Sequence, residues 1–405
     1  MNQSTSQSTY NYSIITIILF WCGLVILSSM YVTIPLLTTF MNVFELNSTQ
    51  ATWISSAFSF CYALGCLIYG PISDKYGRKI FLVTSLSTLT IVTILIGFTN
   101  NFSTLIVLRA LQGLIAAAFA PISFVYAAEM FPPHKRLTAV GFISSGLLMA
   151  SVVGQVFTGI INPLLGWHAI FRFLGVVYFI SSLMVLYFVP KDTISRSKES
   201  VLVKFKQMNL LFKHKELFLI FIITFMLLLS LVGMYTILGS YLTSSKWGLS
   251  SQQVLFIRAI GIIGMILSPF AGQFAKKLGS QVVLRGGLAL AIVGLVGLGF
   301  SQTIPLLVIT SVLFVAGIAL VTPITISLIN QLAGESRGSA VSFNAFILFL
   351  GASTGPILAL NLIESGHFRF SFEWLAIILT IGLIVSFFIK SKASSVKESK
   401  IRKVL

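Results

Sequence analysis

Charge is what this chain has least of. Asp, Glu, Lys and Arg make up 9% of its 405 residues, where a soluble domain carries roughly 25%. With 56% hydrophobic residues and a mean hydropathy of +0.98, no compact fold could cover its apolar surface with polar groups in water. A soluble enzyme, a disulfide-stapled secreted domain and a disordered tail are excluded. Apolar runs of twenty or more residues also exclude an outer-membrane barrel, whose strands alternate over about 10 residues. What remains is an all-α integral membrane protein.

Acids are scarcer than bases, ten against 27, for a net charge of +17. In a soluble protein this would suggest nucleic acid. Membrane proteins collect Lys and Arg in cytoplasmic loops for topological reasons, so no nucleic-acid partner is expected. The three cysteines, Cys22, Cys61 and Cys66, fall in apolar runs and suggest packing. His134, His168, His214 and His367 are too dispersed for a metal site. No glycine-rich phosphate loop with Lys and Ser or Thr is present, so neither an enzyme nor an ATP-driven pump is indicated.

A membrane helix needs about 20 apolar residues. That window gives spans at 14–40, 51–70, 80–98, 104–129, 137–160 and 168–189, then at 217–243, 250–272, 281–301, 304–330, 338–362 and 372–390. The first thirteen residues are polar and lack Lys and Arg, and the run after them is too long for a signal-peptide core, so it reads as the first span. The expected organisation is a bundle over 1–190, a basic linker over 191–216, a second bundle over 217–390 and a basic tail over 391–405.

With both termini cytoplasmic, the basic loops, linker and tail all fall on one side. Only Arg172, Lys246 and Arg369 face the other, while Arg109 and Arg258 lie within spans. This asymmetry predicts a multi-pass protein of the cytoplasmic membrane with both ends inside. The halves also repeat. Ala120-Pro121-Ile122-Ser123 returns 202 residues later as Thr322-Pro323-Ile324-Thr325, and Gly70 and Gly77 return as Gly272 and Gly279. Such duplications place a ligand cavity near the midplane, between two bundles that rock about it.

The segment Gly70-Pro71-Ile72-Ser73-Asp74-Lys75-Tyr76-Gly77-Arg78-Lys79 follows the second span. Gly70 permits close helix approach, Pro71 is expected to end the helix, and Gly77 allows the turn. Asp74 suits the N-terminus of a neighbouring helix, where the dipole favours an anion, and Arg78 suits Glu129, the acid ending the fourth span. This string resembles the signature between the second and third helices of the major facilitator superfamily. Arg109-Ala110-Leu111-Gln112-Gly113 resembles the Arg-x-x-Gln-Gly element of its proton-coupled exporters.

The resemblance implies twelve helices in two six-helix bundles working by alternating access. It implies a proton gradient as energy source with no bound cofactor, and a lipid bilayer, protons and a small molecule as partners, without an obligatory protein partner. Asp74, Arg78, Lys79 and Glu129, with Gly70 and Gly77, would then form a cytoplasmic gate. Arg109, Gln112, Gly113, Gln155 and Arg258 would serve coupling and the substrate cavity.

Arg109 stands roughly 9 Å inside its span at 1.5 Å per residue, where an unpaired charge costs a few kcal/mol. It either faces the bundle interior or snorkels to the interface, and the same choice is open for Arg258. Gly146, Ala150, Gly154 and Thr158 form a stripe of small residues, with Gly351, Gly355 and Ala359 as its repeat 201 residues after the last three. The stripe reads as helix packing, or as a sliding interface like the glycine-rich fifth helix of drug antiporters. There a Gly-Pro pair is expected, but this chain has Gly154-Gln155, and Gly355-Pro356 stands in the second half.

All ten acids lie at span ends, in loops or in the tail, so no mid-membrane carboxylate offers itself as proton carrier. The leading expectation is export of drug-like or amphipathic compounds by proton antiport. The alternatives are export of an anionic metabolite, such as a carboxylate siderophore, and an uptake permease.

Overall fold

The computed structural model describes residues 10–192, 211, 214–364 and 367–389. Among the described residues eleven helices are long and apolar enough to cross a membrane. One of them, Pro133–Phe188, runs for 56 residues and is broken at Gly166, where φ is 75° and ψ 167°. Only glycine adopts that conformation without strain. The two arms run in opposite directions: Gly154 packs on Ser28 as the first arm follows the first span, whereas Lys79 and Ser87 reach back to Leu186 and Ser182 on the second. The described residues therefore make twelve crossings.

The crossings are α1 (Tyr12–Tyr31), α2 (Ser48–Tyr76), α3 (Arg78–Ile96), α4 (Phe102–Met130), α5 (133–165) and α6 (167–188). Then come α7 (Lys215–Thr243), α8 (Ser251–Leu278), α9 (Ser280–Phe300), α10 (Ile304–Leu332), α11 (Arg337–Glu364) and α12 (Phe368–Phe387). Most of the linker and the whole 391–405 tail lie outside the described residues. Side chains such as Phe60, Phe256, Ile309 and Ile357, each more than 60% exposed, form the outer face that lipid covers.

Two sequence expectations need correcting. The first span stops at Tyr31 and not near residue 40, because Pro35 has no N–H to continue the ladder; a short helix, Leu37–Val43, follows. Pro71 does not end α2. The helix carries it and stops at Gly77, φ 106°, since membrane helices absorb the lost hydrogen bond through neighbouring groups and the positive φ forces the turn.

The internal repeat is visible in the local structure. Gly279, φ 91°, opens α9 as Gly77 opens α3. Asn47 with Gln50 and Ser250 with Gln253 form capping boxes at the starts of α2 and α8. In α4 the turn before Pro121 frees the Ala117 carbonyl, towards which Cys66 Sγ donates at 3.9 Å.

Candidate functional site

A cavity of about 740 Å³ lies between the two bundles. Its wall takes α1 from Leu27 onward, α7 from Leu228 to Thr243, and only the first part of α8, Ser251 to Arg258. These are the portions away from the loop that carries Asp74 and Arg78. The cavity thus lies toward the far end of the molecule, and the basic end is packed shut. The wall is mostly apolar, and Arg258 is the one charged residue among the described residues that line it.

Two related seams close the basic end. In one, Gly70 of α2 packs against the Gly338 carbonyl and Ser342 of α11. In the other, Gly272 of α8 meets Leu137 and Thr138 of α5, and Gly141 meets Ser268 and Pro269. Backbones approach this closely only where no Cβ intervenes. Ser145 Oγ donates to the Met265 carbonyl at 3.0 Å, tying α5 to α8. Tyr62 and Phe349, ring centroids 4.4 Å apart, meet across α2 and α11.

Among the described residues only the first seam carries an ion-paired cluster. Arg78 is ion-paired with Asp74 and donates to Glu129 from Nε at 3.2 Å and from Nη2 at 3.0 Å. Its Nη1 donates to Ser73 Oγ at 2.6 Å. The Asp74 carboxylate lies against Gly338, in the first turn of α11, where the free N–H groups favour an anion. At the corresponding places the second half has Lys276, Ser280 and Gln331. Asp192, which sequence reasoning passed over as a loop acid, accepts from the backbone N–H of Arg78 at 3.0 Å and of Lys79 at 3.3 Å. It caps α3, as the exposed N–H groups after a glycine turn require.

Arg109 faces the interior of the first bundle and is 0% exposed. It donates to the Ser29 carbonyl at 2.9 Å, to the Ile54 carbonyl at 3.3 Å and to Gln112 Oε1 at 2.5 Å. The Phe58 ring lies 4.5 Å from its guanidinium carbon. Gln112 passes the chain on to Thr93 Oγ1 at 2.7 Å. One side chain thus fastens α4 to α1 and α2, and through Gln112 to α3. Gly113 lets the Phe58 backbone of α2 approach α4.

Of the residues expected in the cavity, Arg258 and Gln155 line it, while Arg109, Gln112 and Gly113 lie inside the first bundle and not on the wall. The geometric reason is depth. The α4 face that carries them turns toward α1, α2 and α3, whereas Ala120 and Phe124, further along, reach the wall. Tyr31, Ser144, Tyr235 and Asn344 also line the cavity and were missed, because isolated polar residues in apolar runs carry no spacing signal.

The small-residue stripes pack against the first helix of each half in the same way. Gly146 faces the Phe20 carbonyl and the Leu24 nitrogen of α1, and Gly351 faces the Phe225 carbonyl and the Leu229 nitrogen of α7. Gly154 packs on Ser28 and Gly355 on Leu229 and Gly233; Pro356 reaches the cavity wall. These glycine contacts fit the 201-residue repeat, and so does the seam, where Gly70 meets Gly338 as Gly272 meets Leu137.

Comparison with known proteins agrees with this architecture. The family model of the Major Facilitator Superfamily matches residues 19–304 and 259–404. An uncharacterised transporter of Buchnera aphidicola subsp. Schizaphis graminum is 28% identical over 390 residues, covering 95% of this chain and 92% of that protein. The multidrug resistance protein MdtG of Proteus mirabilis is 27% identical over 344 residues, covering 82% and 85%. In fold the chain is similar to the human organic anion transporter MFSD10, with TM-score 0.79, 15% identity, and 93% and 99% of the two chains covered. The proton:xylose symporter XylE gives a TM-score of 0.73 at 18% identity, covering 94% and 97%.

Proposed function

The chain belongs to the Major Facilitator Superfamily, whose members are transporters and not enzymes, and from that premise we propose that it exports amphipathic small molecules across the cytoplasmic membrane by alternating access. The observation that carries this reading is the cavity of about 740 Å³, walled mostly by apolar side chains and shut at the basic end by two seams related by the internal repeat. A site between two such bundles is reached from one side at a time. The likeness to MdtG, named a multidrug resistance protein, supports export of drug-like compounds. The clustering of Lys and Arg on the sealed end supports placing that end in the cytoplasm. In the described state the cavity then faces outward, ready to release cargo.

We further propose that inward proton flow drives export, with no bound cofactor. No carboxylate lines the cavity among the described residues. The carboxylates that couple protons to the seam are therefore Asp74 and Glu129, both held by Arg78. Protonation of either loosens its hold on Arg78 and frees the α2–α11 seam. The test uses everted vesicles energised by respiration, with a fluorescent probe of the proton gradient. Adding an exported compound should restore the quenched fluorescence, and vesicles carrying Glu129→Gln should restore little. No restoration by a panel of amphipathic compounds would count against antiport.

A further inference from the structure

Arg258 sits on the cavity wall in a condition that Arg109 does not share. Its Nη2 donates to the Tyr235 carbonyl at 2.6 Å, and no carboxylate stands within ion-pair distance among the described residues. Its Nε is buried and has no partner. The Tyr235 hydroxyl, also on the wall, is buried without a partner too. Two residues that line the same part of one cavity thus each carry a buried polar atom without a partner.

The backbone is shaped around this pair. A Cβ at Gly239 would collide with the Arg258 guanidinium, and one at Gly261 with the Tyr235 hydroxyl. Glycine at both positions provides the space that the two polar groups occupy. A buried, charged donor without a counter-charge costs several kcal/mol, and an anion in the cavity would repay it through charge-assisted hydrogen bonds. Toward the other end of the wall, Ser144 Oγ and Asn344 Oδ1 are also unpartnered, and Leu148, Val232 and Leu348 lie on the same wall.

We infer that the cargo is an organic anion, an apolar or aromatic body with a carboxylate or sulfonate that docks on Arg258 and the Tyr235 hydroxyl. This rests on the export reading above and narrows it: lipophilic cations are disfavoured by the one charge in the cavity.

The test uses two dyes with the same tricyclic ring system and opposite charge, anionic fluorescein and cationic rhodamine 123. Binding to the purified full-length protein is followed by fluorescence anisotropy at pH 8, and efflux is followed in cells that express it. Wild type should bind and export fluorescein in preference to rhodamine 123. Arg258→Gln should weaken fluorescein binding by about 10- to 100-fold, the range for a lost hydrogen bond to a charged group, and leave rhodamine 123 binding unchanged or stronger. Arg258→Lys should restore part of the affinity, and Tyr235→Phe should cost a few-fold. A merely structural arginine would instead alter both dyes alike.

Export of rhodamine 123 without fluorescein would overturn the anion site and leave the export reading standing. Binding of fluorescein that depends on Arg258, without efflux, would support the site and overturn the export reading. Failure to bind either dye would overturn both.

Discussion

Arg78 holds Glu129 by two hydrogen bonds, at 3.2 and 3.0 Å, with their side chains 6% and 12% exposed. Because the second half has Ser280 and Gln331 at the matching places, the two seams that close the basic end differ in kind. At the α2–α11 seam the Asp74 carboxylate, held by Arg78, lies against Gly338 at the start of α11, while the α5–α8 seam is fastened by backbone contact and the Ser145 hydrogen bond.

Removing one partner of a buried pair leaves the other charge uncompensated, at a cost of about 3–5 kcal/mol. Arg78→Ala should therefore weaken the closed seam. A cysteine placed at Ser342, which is 0% exposed, should react with a maleimide about tenfold faster in the Arg78→Ala background. Equal rates would show that the charge cluster does not hold the seam.

Arg109 is expected to act as a tether. Arg109→Ala removes the hydrogen bonds to the Ser29 and Ile54 carbonyls and should lower the melting temperature by several degrees, at about 1.5–3 kcal/mol for a hydrogen bond from a charged group. Arg109→Lys should recover only part, because an ammonium cannot reproduce the guanidinium fork. Cys22 and Cys66, both 0% exposed, report the unfolding through a thiol-reactive dye. An unchanged melting temperature would remove Arg109 from the structural account.

Gly146→Ala and Gly351→Ala should destabilise to the same degree, by about 1–3 kcal/mol, since each Cβ would collide with a backbone carbonyl, of Phe20 or Phe225. Gly286→Ala is the contrast. Nothing lies within 4 Å of its Cβ, so the alanine should be neutral or gain up to about 1 kcal/mol from helix propensity. A thermal-shift series in one detergent separates the three.

Asp192 caps α3 from beyond α6. Asp192→Ala should cost about 1 kcal/mol, and Asp192→Asn should retain most of that because its side-chain oxygen still accepts. If the two variants melt alike, the contribution is charge and not capping.

Much of this architecture was legible in the sequence, and the misses share a cause. Span positions follow from hydropathy because lipid penalises every polar exception, and Gly77, Arg78 and Glu129 could be read because each is the odd residue in its surroundings. Tyr235 and Asn344 were invisible because a polar group on a cavity wall and one on a helix contact look the same in one dimension. Arg109 and Arg258, alike as intramembrane arginines, were separated only by structure: the first is surrounded by acceptors and the second is not.

The most direct test of the central claim, a cavity that faces one side at a time, is paired cysteine accessibility in a Cys61→Ser background, Cys61 being the partly exposed native thiol. Ser240→Cys lies on the cavity wall and Ser342→Cys in the closed seam. In resting membranes a membrane-impermeant reagent added outside should label position 240, and added inside should not label 342. Addition of an exported compound with a proton gradient should raise labelling at 342 and lower it at 240. Labelling of both positions at once, or no reciprocal change during transport, would contradict alternating access.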